Sequence, residues 1–406
     1  MKLPPITLLA LAACAPGLGH VSAPAGQSEE TREVKRELGR LVADLCDKEV
    51  VLLGESEHGD GRTWEIKTEV VRALVDSCGF DSLYIESGLY DFLALDRAHA
   101  AGTATSQDVA SAIGAVWAEA RETQPFIAYV HEAAAADRLE VMGLDDQIHS
   151  TAFYAQQELP AALAAHLPGA RRDECGARIA RHVQWTYDEA HPHSAESQAT
   201  LQSCLEEIQA AVAKEAPSPK TSEDLAMARN LSRWVARDFV AERQAIFNTR
   251  DRSMFDNFQW QRQRSGDRGK AIVWCATIHA AKGLDEVEAY RGFSPLGRYI
   301  HQQYGERAAA IGFSAWSGAS RRRGRPIREL SIAPPESLEG RVLAAEQPLR
   351  YLDAEQLRAL GSVDARPMGH EFHRAAWHEV LDGLVVLRRE TPAHHDVAPA
   401  AKAGSR

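Results

Sequence analysis

Residues 49–86 run apolar strand, helix, apolar strand, and that alternation restricts the fold more than any other feature of the chain. Residues 49–54 are a short apolar run. Thr63 is placed to cap the helix that follows, and Ile66, Val70, Val71, Leu74 and Val75 recur at three to four residues until Gly79 stops it. Residues 82–86 (SLYIE) are the second strand. A helix between consecutive strands predicts parallel pairing, so the expected fold is α/β, with a central, mainly parallel sheet covered by helices.

Further strands are expected at 138–145, 271–275, 308–314 and 383–389, about six in all. Residues 29–47 and 91–137 carry helical patterns. Residues 150–260 read as wholly helical, interrupted at 215–224 (EAPSPKTSED). The expected organisation is a leader and tether at 1–28, the first part of the α/β core at 29–149, and a long helical insertion at 150–260. The second part of the core follows at 261–392. The tail at 393–406 lacks a core-forming pattern and reads as disordered.

The polar residues fall at the strand ends. Glu55 and His58 follow the first strand, Glu86 closes the second, Asp145 the third, and His279 lies just past the strand at 271–275. In a parallel sheet these ends share one edge, where α/β proteins place their ligands. An imidazole beside carboxylates suits proton transfer on water or substrate near neutral pH. Each residue alone has a plainer reading: Glu86 as a helix cap, Asp145 or Asp146 as an N-cap, His58 as a turn residue between Glu57 and Gly59. The joint placement is what argues for chemistry. Ser56 lacks a G-x-S-x-G elbow, which disfavours a covalent serine mechanism. His191, His193, His370, His373 and His378 read as surface or loop residues.

The net charge of −11 argues against nucleic acid as a partner, with RRRGR at 321–325 a local exception. Lys2 precedes an apolar run at 3–13 that is too short to span a bilayer and reads as an export signal. Residues 11–14 (LAAC) resemble a lipobox, which would anchor the chain by lipid at Cys14. Cleavage after Ala23 and an apolar helix of a cytoplasmic protein are the alternatives. Export, to the periplasm or a membrane-anchored lipoprotein, fits the cysteines. Cys46 pairs plausibly with Cys78, and Cys175 with Cys204, while Cys275 sits in a strand as a buried thiol. The alternative leaves all thiols reduced in the cytoplasm. No C-x-x-C pair suggests zinc.

Residues 52–59 (LLGESEHG) resemble the G-E-x-x-H-G signature of the erythromycin esterase family. YIES at 84–87, VWAEARE at 116–122, VMGLDDQ at 141–147 and NTRDRSMFDNFQW at 248–260 resemble later family motifs in the same order, as do 295–314 and 382–392. The resemblance implies an α/β core with a helical insertion and a metal-independent, cofactor-free hydrolase of a macrolactone or related small-molecule ester. It implies that His58 activates water, that Glu55 and Glu86 orient the histidine or hold the water, and that His279 is a second acid/base. Lys67 and Arg250 match basic positions that bind substrate or pair with the carboxylates, and Trp117 and Asp145 fall in motifs assigned to substrate binding. At the fourth strand the family pattern W-A-H-N-x-H is WCATIH here, with Ala276 and Thr277 in place of His and Asn. That departure leaves two other expectations open: an exported binding protein with a degenerate cleft, and a metal or haem site on the same edge.

Overall fold

Four consecutive buried aliphatics, Val50–Leu53, form β1, the middle strand of a seven-stranded sheet. The computed structural model describes residues 29–266, 269–343 and 346–396; the leader, the tether, Cys14 and residues 397–406 lie outside the described residues. The remaining strands are β2 (Phe80–Gly88), β3 (Glu140–Asp145), β4 (Lys270–Trp274), β5 (Ala308–Ala315), β6 (Gly318–Ser320), β7 (Arg328–Leu330), β8 (Leu349–Asp353), β9 (Ser362–Ala365), β10 (His373–Ala376) and β11 (Gly383–Leu387). The main sheet has the order β3-β2-β4-β1-β5-β11-β8. All neighbours pair in parallel except β8, which runs antiparallel on β11. The sheet thus has one strand more than the sequence suggested. β6–β7 and β9–β10 are separate antiparallel pairs.

Alternation along β1 divides the core. Val51 and Leu53 join the cluster that includes Trp64, Val70, Leu74 and Phe126, while Val50 and Leu52 join Met254, Phe258, Leu296 and Ile300. Burial on both faces is what a parallel strand demands, and it explains the unbroken apolar run. Truncating Leu53 to Ala would cost about 2–5 kcal/mol. After β1 the helix α2 (Gly61–Cys78) returns the chain to β2. Gly79 ends α2 at φ 72°, its N–H on the Leu74 carbonyl, a conformation glycine adopts without penalty. Thr63 is not the cap. It lies inside α2, and its hydroxyl donates to Glu390 Oε2 at 2.6 Å.

The exposed edge of β3 is covered by the helix Arg243–Arg264, whose polar side chains meet it. Asn257 donates to the Leu144 carbonyl at 2.7 Å and Gln261 to the Gly143 carbonyl at 2.8 Å. An edge carbonyl buried without such a donor would be costly. Helices between Phe153 and Val235 form a further cluster with its own core, in which Cys175 and Cys204 are disulfide-bonded. A second disulfide joins Cys46 to Cys78, and Cys275 is a buried free thiol. The chain expected to be disordered from 393 is ordered to Asp396: Ala393 is buried and its N–H donates to the Gly59 carbonyl at 2.9 Å.

Candidate active site

The register of the sheet brings its carboxyl ends level. Leu53 lies opposite Trp274 of β4 and Ile311 of β5, and Ile85 of β2 also lies opposite Trp274. The residues that follow, Glu55, Glu86 and Ala276, therefore meet at one rim. The Thr277 N–H donates to the Glu55 carbonyl at 2.8 Å. Only glycine fits at 54, since a Cβ there would lie 2.5 Å from the Thr277 hydroxyl.

Glu55 is fully buried and both its oxygens are committed. Oε1 accepts from the Trp117 indole at 3.0 Å and lies 2.7 Å from His58 Nδ1. Oε2 accepts from Lys67 Nζ at 2.6 Å. Lys67 is itself fully buried; it also donates to the Cys275 carbonyl and lies 4.1 Å from the Trp274 ring centre. Burial pushes its ammonium below the usual lysine range, and the Glu55 carboxylate opposes that shift.

His58 stands edge-on to Trp117, ring centres 5.1 Å apart, and its side chain is 26% exposed. Its Nε2 lies 3.8 Å from Glu86 Oε1, beyond direct hydrogen bonding and too close for a water to stand between them. Burial disfavours the imidazolium, but the Glu86 and Glu55 carboxylates outweigh burial and raise it to about 10.

Glu86 is the hub. Oε1 accepts from Arg250 at 2.9 Å and lies 3.2 Å from His279 Nε2; Oε2 accepts the Ala276 N–H at 2.8 Å. Burial would raise its pKa, yet the charges of His279 and His58 hold it well below the usual range. Arg250 also grips Asp145 through Nε at 3.2 Å and Nη2 at 2.6 Å. His279 presents Nδ1 to Asp251 at 2.8 Å and stacks on Phe247 at 5.1 Å. Burial opposes its charge, but Asp251 and Glu86 raise it to about 9. The 3.1 Å approach of Arg250 Nη1 to His279 Nε2 is a hydrogen bond only when that ring is neutral. The network holds four carboxylates (Glu55, Glu86, Asp145, Asp251) against four cationic groups (Lys67, His58, Arg250, His279), a balance that makes its burial tolerable.

All eight residues singled out in the sequence thus lie together: Glu55, His58, Lys67 and Trp117 form one hydrogen-bonded group, Glu86, Asp145, Arg250 and His279 a second, and the 3.8 Å ion pair of His58 with Glu86 joins them. Asp251 was not among them, although it adjoins Arg250 in the motif at 248–260. His370, expected as a surface or loop residue, lies in a loop but is buried, with Nε2 2.7 Å from Asp60 Oδ1. His191 is exposed, and His193 bonds to Asp238 away from this network. Among the described residues no group of three His, Cys, Asp or Glu side chains is arranged to hold a metal ion.

The family model described as Erythromycin esterase matches residues 75–390. YbfO of Bacillus subtilis (strain 168), provisionally named a hydrolase, is 24% identical over 399 residues, covering 88% of this chain and 87% of its own. Among solved structures, a succinoglycan biosynthesis protein superposes with a TM-score of 0.69 at 16% identity, covering 91% of this chain and all of its own. A mutant of erythromycin esterase EreC in its open conformation superposes at 0.64 with 15% identity, covering 90% and 96%. At these identities the structural likenesses speak to the fold alone.

Proposed function

Because the chain belongs to the erythromycin esterase family and is a hydrolase of that family, we propose that it cleaves a carboxylic ester, a macrolactone or a related small-molecule ester, with water activated by His58. The observation that carries this reading is the 3.8 Å gap between His58 Nε2 and Glu86 Oε1, on the partly exposed side of a ring whose Nδ1 is pinned by Glu55. A water bonded to both atoms would flank the pair, touching a base and a fixed carboxylate together, the geometry general-base catalysis needs.

Glu55 fixes the ring's orientation and is itself fixed by Lys67 and Trp117, so Lys67 and Trp117 act through Glu55. Arg250, tied to Asp145, holds Glu86 in place. With His58 raised to about 10, the neutral ring that can take a proton is about one part in a thousand at pH 7. The imidazolium formed after proton transfer is correspondingly well stabilised and can return its proton to the leaving alkoxide. His279, as imidazolium 3.2 Å from Glu86, is the histidine of this stretch that remains to act as an acid where Ala276 replaces the other.

The same absence supports a second reading. The Ala276 N–H is spent on Glu86 and the Thr277 hydroxyl is fully buried, so neither is presented to a developing oxyanion. A cleft that binds an ester without turning it over would follow. A screen of macrolides and simple lactones, wild type beside His58→Ala, separates the two. Turnover by the wild type that His58→Ala abolishes supports the hydrolase. Saturable binding without product supports the second reading, and turnover retained in His58→Ala removes His58 from the role of base. The two disulfides support export, since such bonds persist in oxidising compartments; fractionation and metabolic lipid labelling at Cys14 would test the location and the anchor.

A further inference from the structure

The loop that carries Glu55 and His58 is held by residues from the far end of the chain. Loop 366–372 joins β9 to β10, and its first residue, Arg366, is 2% exposed and bonded to the Ala315 carbonyl at the end of β5. From this fixed base the loop reaches the β1 loop at three points. The Ser56 hydroxyl donates to the Arg366 carbonyl at 3.0 Å and accepts the His370 N–H at 2.9 Å. The Gly369 N–H donates to the Ser56 carbonyl at 2.8 Å. His370 Nε2 meets Asp60 Oδ1 at 2.7 Å, and the other oxygen of Asp60 accepts the Glu57 N–H at 2.8 Å.

Residues 56 and 60 are thus clamped on either side of His58. Both belong to a turn whose backbone is tied at its far end, by Ala393 and Arg321 donating to the Gly59 carbonyl and by the Asp60–Pro392 bridge, while these side chains tie it to the loop 366–372. Two features of His370 fit a role beyond filling space. Its φ is 53°, a left-handed conformation that is unfavourable for a residue with a Cβ and that persists only where the surroundings enforce it. Its ring is buried, yet Nδ1 has no partner, so the imidazole is kept there for the Asp60 contact alone.

We propose that His370 is a positioning residue: through Asp60 and Ser56 it sets the placement of His58 against Glu55 and Glu86. The inference rests on the ester-hydrolase reading for its kinetic consequence, though not for its structural one.

The test compares His370→Gly with His370→Gln. Glycine removes the ring and relieves the φ 53° conformation, so a merely structural histidine predicts at most a change in melting temperature. Glutamine carries an amide nitrogen at the reach of Nε2 and so keeps a donor for Asp60. With a folded His370→Gly protein, kcat on an ester that the wild type hydrolyses is expected to fall about tenfold to a hundredfold, the cost of a displaced catalytic group. KM should change less than about threefold, and His370→Gln should restore most of kcat. The titration midpoint of the His58 ring, followed by NMR, is expected to fall from about 10 towards the ordinary histidine value in His370→Gly and to recover in His370→Gln. Wild-type kcat together with an unmoved midpoint in His370→Gly would overturn the proposal. If the wild type hydrolyses none of the esters, the hydrolase reading fails, and the midpoint alone decides the role of His370. If His370→Gly does not fold, the same readings in His370→Gln and Ser56→Ala decide it: a normal midpoint and kcat in Ser56→Ala would again overturn it.

Discussion

Glu55 has no free oxygen, and at the residue scale this makes Lys67 the side chain most dangerous to remove. Lys67→Met would leave a carboxylate in a dry core against His58 and Trp117. Loss of one partner from a buried ion pair costs about 3–5 kcal/mol, so the expected result is a sharply lowered denaturation midpoint. Glu55→Gln combined with Lys67→Met should recover part of that loss, and chemical denaturation of the single and double variants checks it. At this scale the sequence was legible where a titratable residue ended an apolar strand: Glu55, Glu86 and Asp145 could be placed on the rim from pattern alone. Asp251 could not, because helical periodicity ranks positions by burial of apolar groups and gives no sign that a buried aspartate faces an imidazole. The burial of His370 in its loop was equally hidden. Its partner Asp60 lies 310 positions away, and nothing local distinguishes a clamped loop from a solvated one.

Elements that bury polar faces were the harder ones to read. The helix Arg243–Arg264 buries Asp251, Asn257 and Gln261 beside Met254 and Phe258, so it has no clean apolar stripe, and its fit to β3 becomes visible only once the carbonyls of Leu144 and Gly143 are seen to need donors. β8 escaped notice because its residues, LRYLD, alternate weakly and it is an edge strand. Glu37, reaching from the helix Glu29–Leu45, accepts the Tyr351 N–H at 3.1 Å and so closes that edge. The helical cluster between Phe153 and Val235 is joined by the Cys175–Cys204 bond across 29 residues. Replacing both cysteines by serine should cost about 3 kcal/mol. Because the bond is remote from His58 and Glu86, kcat should stay unchanged while the melting temperature falls, a pairing that calorimetry and a rate assay read together.

For the whole molecule, topology is what turns scattered residues into a site. β1 and β2 follow one another in the chain, but β4 is inserted between them in the sheet, so Ala276 and His279 arrive between Glu55 and Glu86. That crossover was not readable from strand patterns, which give order along the chain and not across the sheet. The same gathering of charge ties stability to pH. His58 and His279 bind protons up to about 10 and about 9 when folded, against about 6.5 unfolded. Their contribution is therefore complete below pH 6.5 and is lost as pH rises through those values. The melting temperature should fall from pH 6.5 to 10, and fall less in Glu86→Gln, where both rings lose their shared carboxylate.

The central claim, that His58 is the base and that its proton affinity is set by Glu86, is tested most directly by the pH dependence of kcat/KM in wild type and Glu86→Gln. The wild-type value should climb about tenfold per pH unit from neutrality and level off near 10. Glu86→Gln should level off at least about one unit lower, whatever its absolute rate. A flat wild-type profile between pH 6 and 9, or two profiles that superimpose, would contradict the account.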